Sequence, residues 1–550
     1  MLKMEERLIA LRSVMRKLGL KAFLIPINDE FLLEYPLASN NRLAWLTGFT
    51  GSFAMVIVTQ EKVYFFTDSR YLIQAKNELH EHYTILDAGH TSILLAIRGD
   101  NIEEIGYDPK LLTEETLKLF PCTMIPVNEN PIDLIWERDT PIKSEVRSHD
   151  IRYAGLSSKE KCSAVLDAIG QNRYFFSNSE SVCWLANIRG SDLDCIPVLC
   201  CRGILYPNGL LKVFTHCKFE KSPFLEAHIE ILSLDDLEIY LASLDSVLLD
   251  ERNTSVYYLS LIGEEKIIHM TDPSVLLRAC KNDTEINGAI SAHKRDAIAF
   301  MGFLDWLKNN QDTSEIEAEK VLLKFRKEQD LFYSASFPTI SAFGANGAIV
   351  HYHATEKSNL NFESGNLYLC DSGAQYLDGT TDITRTIAIG KPTEEQCFHY
   401  TLVLKAHISL AMVIFPVGTT GKQLDAIARS KLWKYKLDYG HSTGHGVGSF
   451  LNVHEGPHSF GNNVPLQPGM IISNEPGLYF EGKYGIRIEN LMYVTGLGDG
   501  FLGFRQLTLV PFEEKLILSN MLSNEESAWL EEYSDSIKAV RSDIFSSAIN

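Results

Sequence analysis

The feature that most constrains this chain is a pair of short strands that each run into a carboxylate. Leu367-Tyr368-Leu369-Cys370-Asp371-Ser372-Gly373 is an apolar strand ending on an acid. Thr381-Asp382-Ile383-Thr384-Arg385-Thr386-Ile387 follows shortly after and alternates polar and apolar side chains, while Leu377-Asp378-Gly379 between them is a turn signal. A hairpin of this kind sets Asp371 and Asp382 on neighbouring strands. The arrangement recurs where Met470 to Ser473 leads into Asn474-Glu475-Pro476-Gly477, with Gly485-Ile486-Arg487-Ile488-Glu489-Asn490 as the returning strand. Carboxylates paired in this way repel one another and are costly to bury unless a cation lies between them.

Between the two acid pairs lies Gly440-His441-Ser442-Thr443-Gly444-His445-Gly446-Val447-Gly448, whose glycines let the backbone run close to a site and present imidazoles there. Four carboxylates and one histidine suit two divalent cations sharing bridging carboxylates. The oxygen-rich set leans toward manganese, with cobalt, iron and zinc open. The same segment spells G-x-S-x-G, the signature of a serine-hydrolase elbow. That elbow joins a buried apolar strand to a helix, whereas Lys434 to Tyr439 is largely polar and Thr443 to Gly448 is too rich in glycine for a helix.

At 550 residues the chain exceeds what one hydrophobic core supports, so several domains are expected. Leu8, Leu11, Met15 and Leu18 fall at helical spacing and predict an amphipathic helix feeding a strand at Ala22 to Ile25, rather than a signal peptide. Phe53 to Thr59 and Val63 to Thr67 read as paired strands, Glu137 to Arg152 as a linker, and Tyr153 to Met270 as a second α/β unit with a helix near Glu160 to Ile169. A long helix is expected from an N-cap within Lys281 to Glu285 to about Lys308, and the charged helix Glu525 to Val540 is expected to be a peripheral appendage. The net charge of −20 argues against nucleic acid, whose recognition rests on basic side chains. No apolar run is long enough to span a membrane, and ten scattered cysteines without zinc-type pairing suit a reducing, cytoplasmic setting.

The acid-bearing and glycine-rich strings resemble the signature blocks of the methionine aminopeptidase, prolidase and aminopeptidase P superfamily, and in particular its aminopeptidase P branch. The three-domain form of that branch is similar to the chain over nearly its full length, including Trp45 to Phe53, Thr67-Asp68-Ser69-Arg70-Tyr71 and Trp184-Leu185-Ala186-Asn187-Ile188-Arg189-Gly190. The resemblance implies a mixed α/β (α+β) architecture: a creatinase-like domain over 1–136, a second with its linker over 137–270, and a pita-bread metallopeptidase domain with a C-terminal extension over 271–550.

It also implies Asp371, Asp382, His445, Glu475 and Glu489 as metal ligands, Asp382 and Glu489 bridging both ions. His351, His441 and His454 take substrate and catalytic positions, Glu475 shuttles a proton, and Tyr479 and Arg487 fall at the proline pocket. The implied activity is hydrolysis of the bond between a peptide's first residue and a following proline by a hydroxide bridging the two metals. Prolidase, which cleaves Xaa-Pro dipeptides, is the nearest alternative, and a non-catalytic relative of the fold is a more distant one. A homodimer is implied too. Ser442, where glycine or another small residue is frequent, and Asn474, where aspartate is common, depart from the pattern without removing a ligand.

Overall fold

The computed structural model describes residues 3–138, 144–217 and 225–547, the stretch 542–547 by its backbone alone. The linker expected over Glu137 to Arg152 therefore lies partly outside the described residues, at 139–143. The chain divides into two compact units. One comprises Met1–Ser148, Leu156–Leu193 and Val198–Ser274, and the other comprises His149–Gly155, Asp194–Pro197 and Val275–Asn550.

The N-terminal unit holds two six-stranded mixed sheets. In the first, Ala22–Pro26 pairs antiparallel with Met55–Thr59 and parallel with Glu104–Tyr107, so the apolar runs read from the sequence occupy its centre. The helix Met4–Lys17 packs Leu8, Leu11 and Met15 into this core. Leu18, expected on the same face, instead follows the helix as its C-cap and is 48% exposed, because Gly19 at φ +70° turns the chain away. The strand expected from Phe53 begins at Met55. In the second sheet Tyr174–Phe176 lies between Cys201–Leu205 and Val247–Leu249. Its flanking helix starts at Ser158, where Ser157 and Glu160 form a capping box.

The C-terminal unit opens with the helix Asp283–Asn309, capped reciprocally by Asn282 and Glu285. Ala297, Phe300, Met301 and Phe303 on one face of this helix enter the largest core, together with Tyr368, Ile383, Tyr400 and Ile488 from elements that frame the acids. The C-terminal helix Asn524–Ser547 is no peripheral appendage. Tyr533 and Ile537 belong to that same core, and Trp529 stacks on Tyr533 at 5.1 Å between ring centroids. Three apolar residues at four-residue spacing form a narrow inward stripe, which the acidic residues around them hide in a reading of the sequence. Among the described residues no helix is long and apolar enough to cross a membrane.

Candidate active site

Both predicted hairpins form. Asn366–Ser372 pairs antiparallel with Ile383–Ile389, setting Asp371 opposite Thr384 with Asp382 just ahead of the returning strand. The tight turn at Leu377-Asp378 closes between Tyr376 and Gly379. In the second hairpin Ile471–Asn474 pairs with Asn490–Gly498, and Gly477–Phe480 pairs with Tyr484–Arg487. Glu475 and Glu489 thus fall at the breaks between consecutive short strands, where the backbone leaves one ladder and enters the next. The hairpins are joined by a bridge between Thr384 and Glu489, with the Glu489 N–H donating to the Thr384 carbonyl at 3.1 Å.

The segment holding His445 runs alongside. The Ser473 N–H donates to the His445 carbonyl at 2.9 Å, and the His445 N–H donates to Ser473 Oγ at 2.9 Å. This approach requires glycine at 444, since a Cβ there would meet the Ser473 carbonyl oxygen at 1.9 Å. His445 donates Nδ1–H to the Gly446 carbonyl at 3.0 Å. Its Nε2 is thereby turned toward Asp382 Oδ2 at 3.6 Å and Glu475 Oε1 at 3.5 Å. Asp382, His445 and Glu489 each present one ligand atom within 4.8 Å of the others.

The acids are unequally compensated. Arg487 donates through Nε and Nη2 to Asp371 Oδ2 at 3.1 and 2.5 Å. Glu489 Oε2 accepts the Thr384 hydroxyl at 2.7 Å, and Glu475 Oε1 accepts the Ser473 hydroxyl at 3.0 Å. Asp371 Oδ1, Asp382 Oδ1 and Glu489 Oε1 are buried with no hydrogen-bond partner among the described residues. The electrostatic consequences follow. Burial pushes the Asp382 carboxyl up to about 6 against its bond to His445, with the Asp371 and Glu475 charges adding to the rise. Glu489 is raised well above the carboxylate range by burial and then by the charges of Asp382, Glu475 and Asp371. Burial alone would lower His445, but the Asp382 bond and the Glu475 charge outweigh it and hold the imidazole up at about 9.

A second chain of contacts borders the acids. Arg487 Nη1 donates to the Tyr479 hydroxyl at 2.8 Å, and that hydroxyl lies 2.8 Å from His441 Nε2. Because His441 Nδ1 sits 2.7 Å from the Ser442 carbonyl, which can only accept, Nδ1 carries the proton and Nε2 accepts from Tyr479. His454 packs edge-on against His445 at 4.3 Å between ring centroids. His351 is half-buried and directly follows Val350, whose carbonyl accepts from Arg487 Nη2 at 3.3 Å. Ser442 is no elbow nucleophile: it is exposed, donates to the Gly444 carbonyl at 2.8 Å, and no helix follows it.

Comparison with known proteins assigns this geometry to a family. Residues 289–496 match the metallopeptidase family M24, 500–548 match the C-terminal region of peptidase M24, and 7–127 and 137–285 each match a creatinase/prolidase N-terminal domain. A probable Xaa-Pro aminopeptidase P of Coprinopsis cinerea is 35% identical over 582 residues, covering 96% of this chain and 93% of the relative. The chain belongs to the Xaa-Pro aminopeptidases of family M24. A second probable Xaa-Pro aminopeptidase P, from Laccaria bicolor, is 36% identical over 96% of this chain and 89% of its own length. The crystal structure of X-prolyl aminopeptidase from Caenorhabditis elegans, described as a cytosolic enzyme with a di-nuclear active site, superposes with a TM-score of 0.93 at 32% identity, covering 99% of this chain and 97% of that one. The prolidase of Pyrococcus horikoshii shares the fold, with a TM-score of 0.54 at 24% identity over 65% of this chain and 99% of that one.

Beyond the residues that the family's motifs supply, the structure shows supports that the sequence reading passed over. Glu455, next to His454, is fully buried between Lys281 Nζ and Arg278 Nε, the latter at 3.0 Å. Its backbone N–H donates to the Gly446 carbonyl at 2.8 Å, tying the His454 loop to the His445 segment. His407, on the helix Glu394–Ala411, lies 3.0 Å from the Asn474 carbonyl through Nδ1, while Asn474 Nδ2 donates back to the His407 carbonyl at 2.9 Å. Burial, then the Arg385 charge, pushes His407 down to about 3, so it braces the Glu475 turn as a neutral imidazole. The signal for Glu455 lay in its own motif, beside His454. His407 left none, because nothing in the sequence ties it to a turn so distant along the chain.

Proposed function

We propose that this chain is a two-metal aminopeptidase that releases the first residue of peptides whose second residue is proline. The observation that carries the reading is a buried acid cluster in which one oxygen each of Asp371, Asp382 and Glu489 has no hydrogen-bond partner among the described residues, while Asp382 and Glu489 gather around an imidazole already turned by its Nδ1–H bond to present Nε2. Orphaned anionic oxygens in a buried cluster are what a pair of divalent cations would satisfy. Asp371, Asp382, His445, Glu475 and Glu489 would hold them, with Asp382 and Glu489 shared. The oxygen-rich donor set favours manganese over cobalt, iron or zinc. When bound, such cations supply Lewis acidity and lower the pKa of a coordinated water toward ~7.

The chain's own groups do the rest. Glu475 Oε1, held by Ser473, would accept the proton of the attacking water and pass it to the departing proline nitrogen. His351 and His454 would donate to the substrate carbonyl as negative charge develops on it. Tyr479, fixed between Arg487 and His441, would form one wall for the proline ring, and shape recognition there replaces the N–H that proline lacks. Prolidase remains the second reading, on the strength of the shared fold. Incubating metal-loaded protein with Xaa-Pro dipeptides, Xaa-Pro-Yaa peptides and Xaa-Ala controls tests both. Release of the first residue from Xaa-Pro-Yaa supports the aminopeptidase, cleavage of dipeptides alone would shift the reading to prolidase, and equal turnover of Xaa-Ala would refute proline selectivity.

We further infer three domains over 1–136, 137–270 and 271–550, supported by the two separate sheets of the N-terminal unit. A homodimer is inferred as well. The exposed Ile414, Val417, Trp433 and Phe501 of the catalytic unit offer apolar surface for it, and sedimentation at micromolar concentration tests it. The cysteines form no disulfide among the described residues, which is compatible with a cytoplasmic setting.

A further inference from the structure

Far from the acids in sequence, the N-terminal unit brings together a second set of metal-type ligands. Glu5, His80 and His82 each present one ligand atom, and these atoms all lie within 4.8 Å of one another. His80 Nε2 is 3.4 Å from Glu5 Oε1, and the two imidazoles sit 4.4 Å apart between ring centroids at a 33° tilt. We propose that these three residues form a zinc-class cation site, separate from the catalytic centre, that clips the first turn of the N-terminal helix to the turn at residues 80–83.

The backbones carrying the three ligands are held by one core. The Tyr83 N–H donates to the His80 carbonyl at 3.0 Å, closing a tight turn between the helix Leu72–Glu78 and the strand Tyr83–Asp87. Leu79 and Tyr83, on either side of that turn, pack against the cluster that includes Leu8, Leu11 and Met15 of the helix carrying Glu5. The main chain therefore fixes where the ligands start, and only exposed side chains need to adjust. In a tetrahedral zinc site with bonds of about 2.0–2.2 Å, ligand atoms stand roughly 3.3–3.6 Å apart, so the His80–Glu5 pair is already at the required spacing. The remaining adjustment is of the order of 1 Å, within reach of rotamer shifts at exposed positions.

Donor chemistry separates this site from the catalytic one. Two imidazoles and a single carboxylate, with a fourth position open to solvent, prefer zinc to manganese, whereas four carboxylates and one histidine accept manganese readily. Manganese-loaded protein should therefore retain the capacity for an additional zinc ion. Binding would tether residue 5 to residue 80, so its structural effect falls on the first helical turn and on the 80–83 turn.

The test uses the full chain. Wild-type protein, the double variant His80→Ala/His82→Ala and the variant Glu5→Gln are loaded with manganese, held in excess manganese and titrated with zinc. Bound zinc is counted per chain, and amide hydrogen exchange is followed across the N-terminal unit. Wild type should bind one more zinc than the double variant and gain protection in residues 4–8 and 79–84 that the double variant does not gain. Glu5→Gln should weaken that zinc by roughly 10-fold or more, since loss of even an outer-shell partner of a metal ligand costs about that much. Hydrolysis of Xaa-Pro-Yaa by the manganese-loaded protein should be equal in all three. Equal zinc in wild type and double variant, or added protection confined to other segments, would overturn the site. Unchanged affinity in Glu5→Gln would overturn the three-ligand assignment. All three positions are exposed, so loss of folding does not confound the comparison.

Discussion

Replacing Glu455 by glutamine should damage the enzyme more than removal of any single surface charge. Its carboxylate is buried to 0% exposure with Lys281, also at 0%, on Oε1 and with Arg278, at 5%, on Oε2. Withdrawing one partner from a buried ion pair costs about 3–5 kcal/mol, and here two cations lose their anion at once. For a unit of this size each kcal/mol moves a thermal midpoint by about 2–4 °C, so the catalytic unit's transition should fall by roughly 6–20 °C. The rate should fall as well, because the Glu455 backbone is zipped to Gly446, whose N–H in turn donates to the His458 carbonyl at 3.1 Å. A shift of about 1 Å in the neighbouring His454 is enough to cost ~10²-fold in kcat, with KM little changed. The assay is the melting transition of manganese-loaded protein beside steady-state cleavage of an Xaa-Pro-Yaa peptide, for Glu455→Gln, Lys281→Met and the pair together. The double variant should lose less than the sum of the singles, since each removes part of the other's stranded charge. A Glu455→Gln protein melting within about 2 °C of wild type at wild-type kcat would refute the clamp.

Asp382→Asn should abolish both metal retention and turnover while stabilising the metal-free protein, whereas His454→Ala should retain its metals and lose about 10²-fold in kcat. Metal per chain measured beside turnover separates the two, and Asp382→Asn with full metal and normal rate would refute the ligand assignment. A chelator should abolish peptidase activity and manganese should restore it, while Ser442→Ala should remain active. Activity that survives chelation but not Ser442→Ala would revive a serine nucleophile. Above about pH 6.5 the metal-free protein should lose stability as pH rises, because below that the buried neutral His407, held down at about 3, gains stability with pH and opposes the contribution of Asp382. The Asp382 carboxyl is raised to about 6, so its folded form favours the proton, and its contribution to stability falls between about 4 and 6 as that proton leaves. His445, raised to about 9, contributes stability below about 6.5 that is lost as pH climbs through 9. Melting of chelated protein at pH 7 and 9 tests the sign for His445, and a midpoint rising across that interval would contradict it.

The acid hairpins were legible because strand alternation, turn residues and the position of each acid are local properties, and all are written in adjacent residues. The long helix was legible for the same reason, with Asn282 and Glu285 announcing its start. What the sequence hid is non-local. Leu18 continues the apolar spacing of its helix, but Gly19 ends the helix before that spacing can matter. Tyr533 reads as one aromatic residue in an acidic helix, yet its hydroxyl reaches Arg385 and Asn490 at 3.2 Å, next to Thr384 and Glu489. Glu455, Lys281 and Arg278 are each ordinary surface residues by type, and only the fold brings opposite charges from positions 278–281 and 455 into one dry space.

The unequal treatment of the four acids explains how such a cluster can exist in a folded chain at all. Arg487 neutralises Asp371 permanently, because a guanidinium does not titrate away. Asp382 and Glu475 share one imidazole, which can carry a proton when nothing else is near and surrender Nε2 when a cation arrives. Glu489 has a single hydroxyl on one oxygen and no partner on the other among the described residues, and burial together with the neighbouring acids raises its carboxyl well above the usual range, so its folded form favours the proton. The protein thus folds with its site partly protonated, and cation binding must displace those protons, coupling metal affinity to pH. Placing the acids at strand breaks serves the same end. A carboxylate in mid-strand alternates to one face of the sheet, whereas Glu475 and Glu489 sit where one short ladder gives way to the next, so acids from two hairpins can converge on one point without disturbing the register of either.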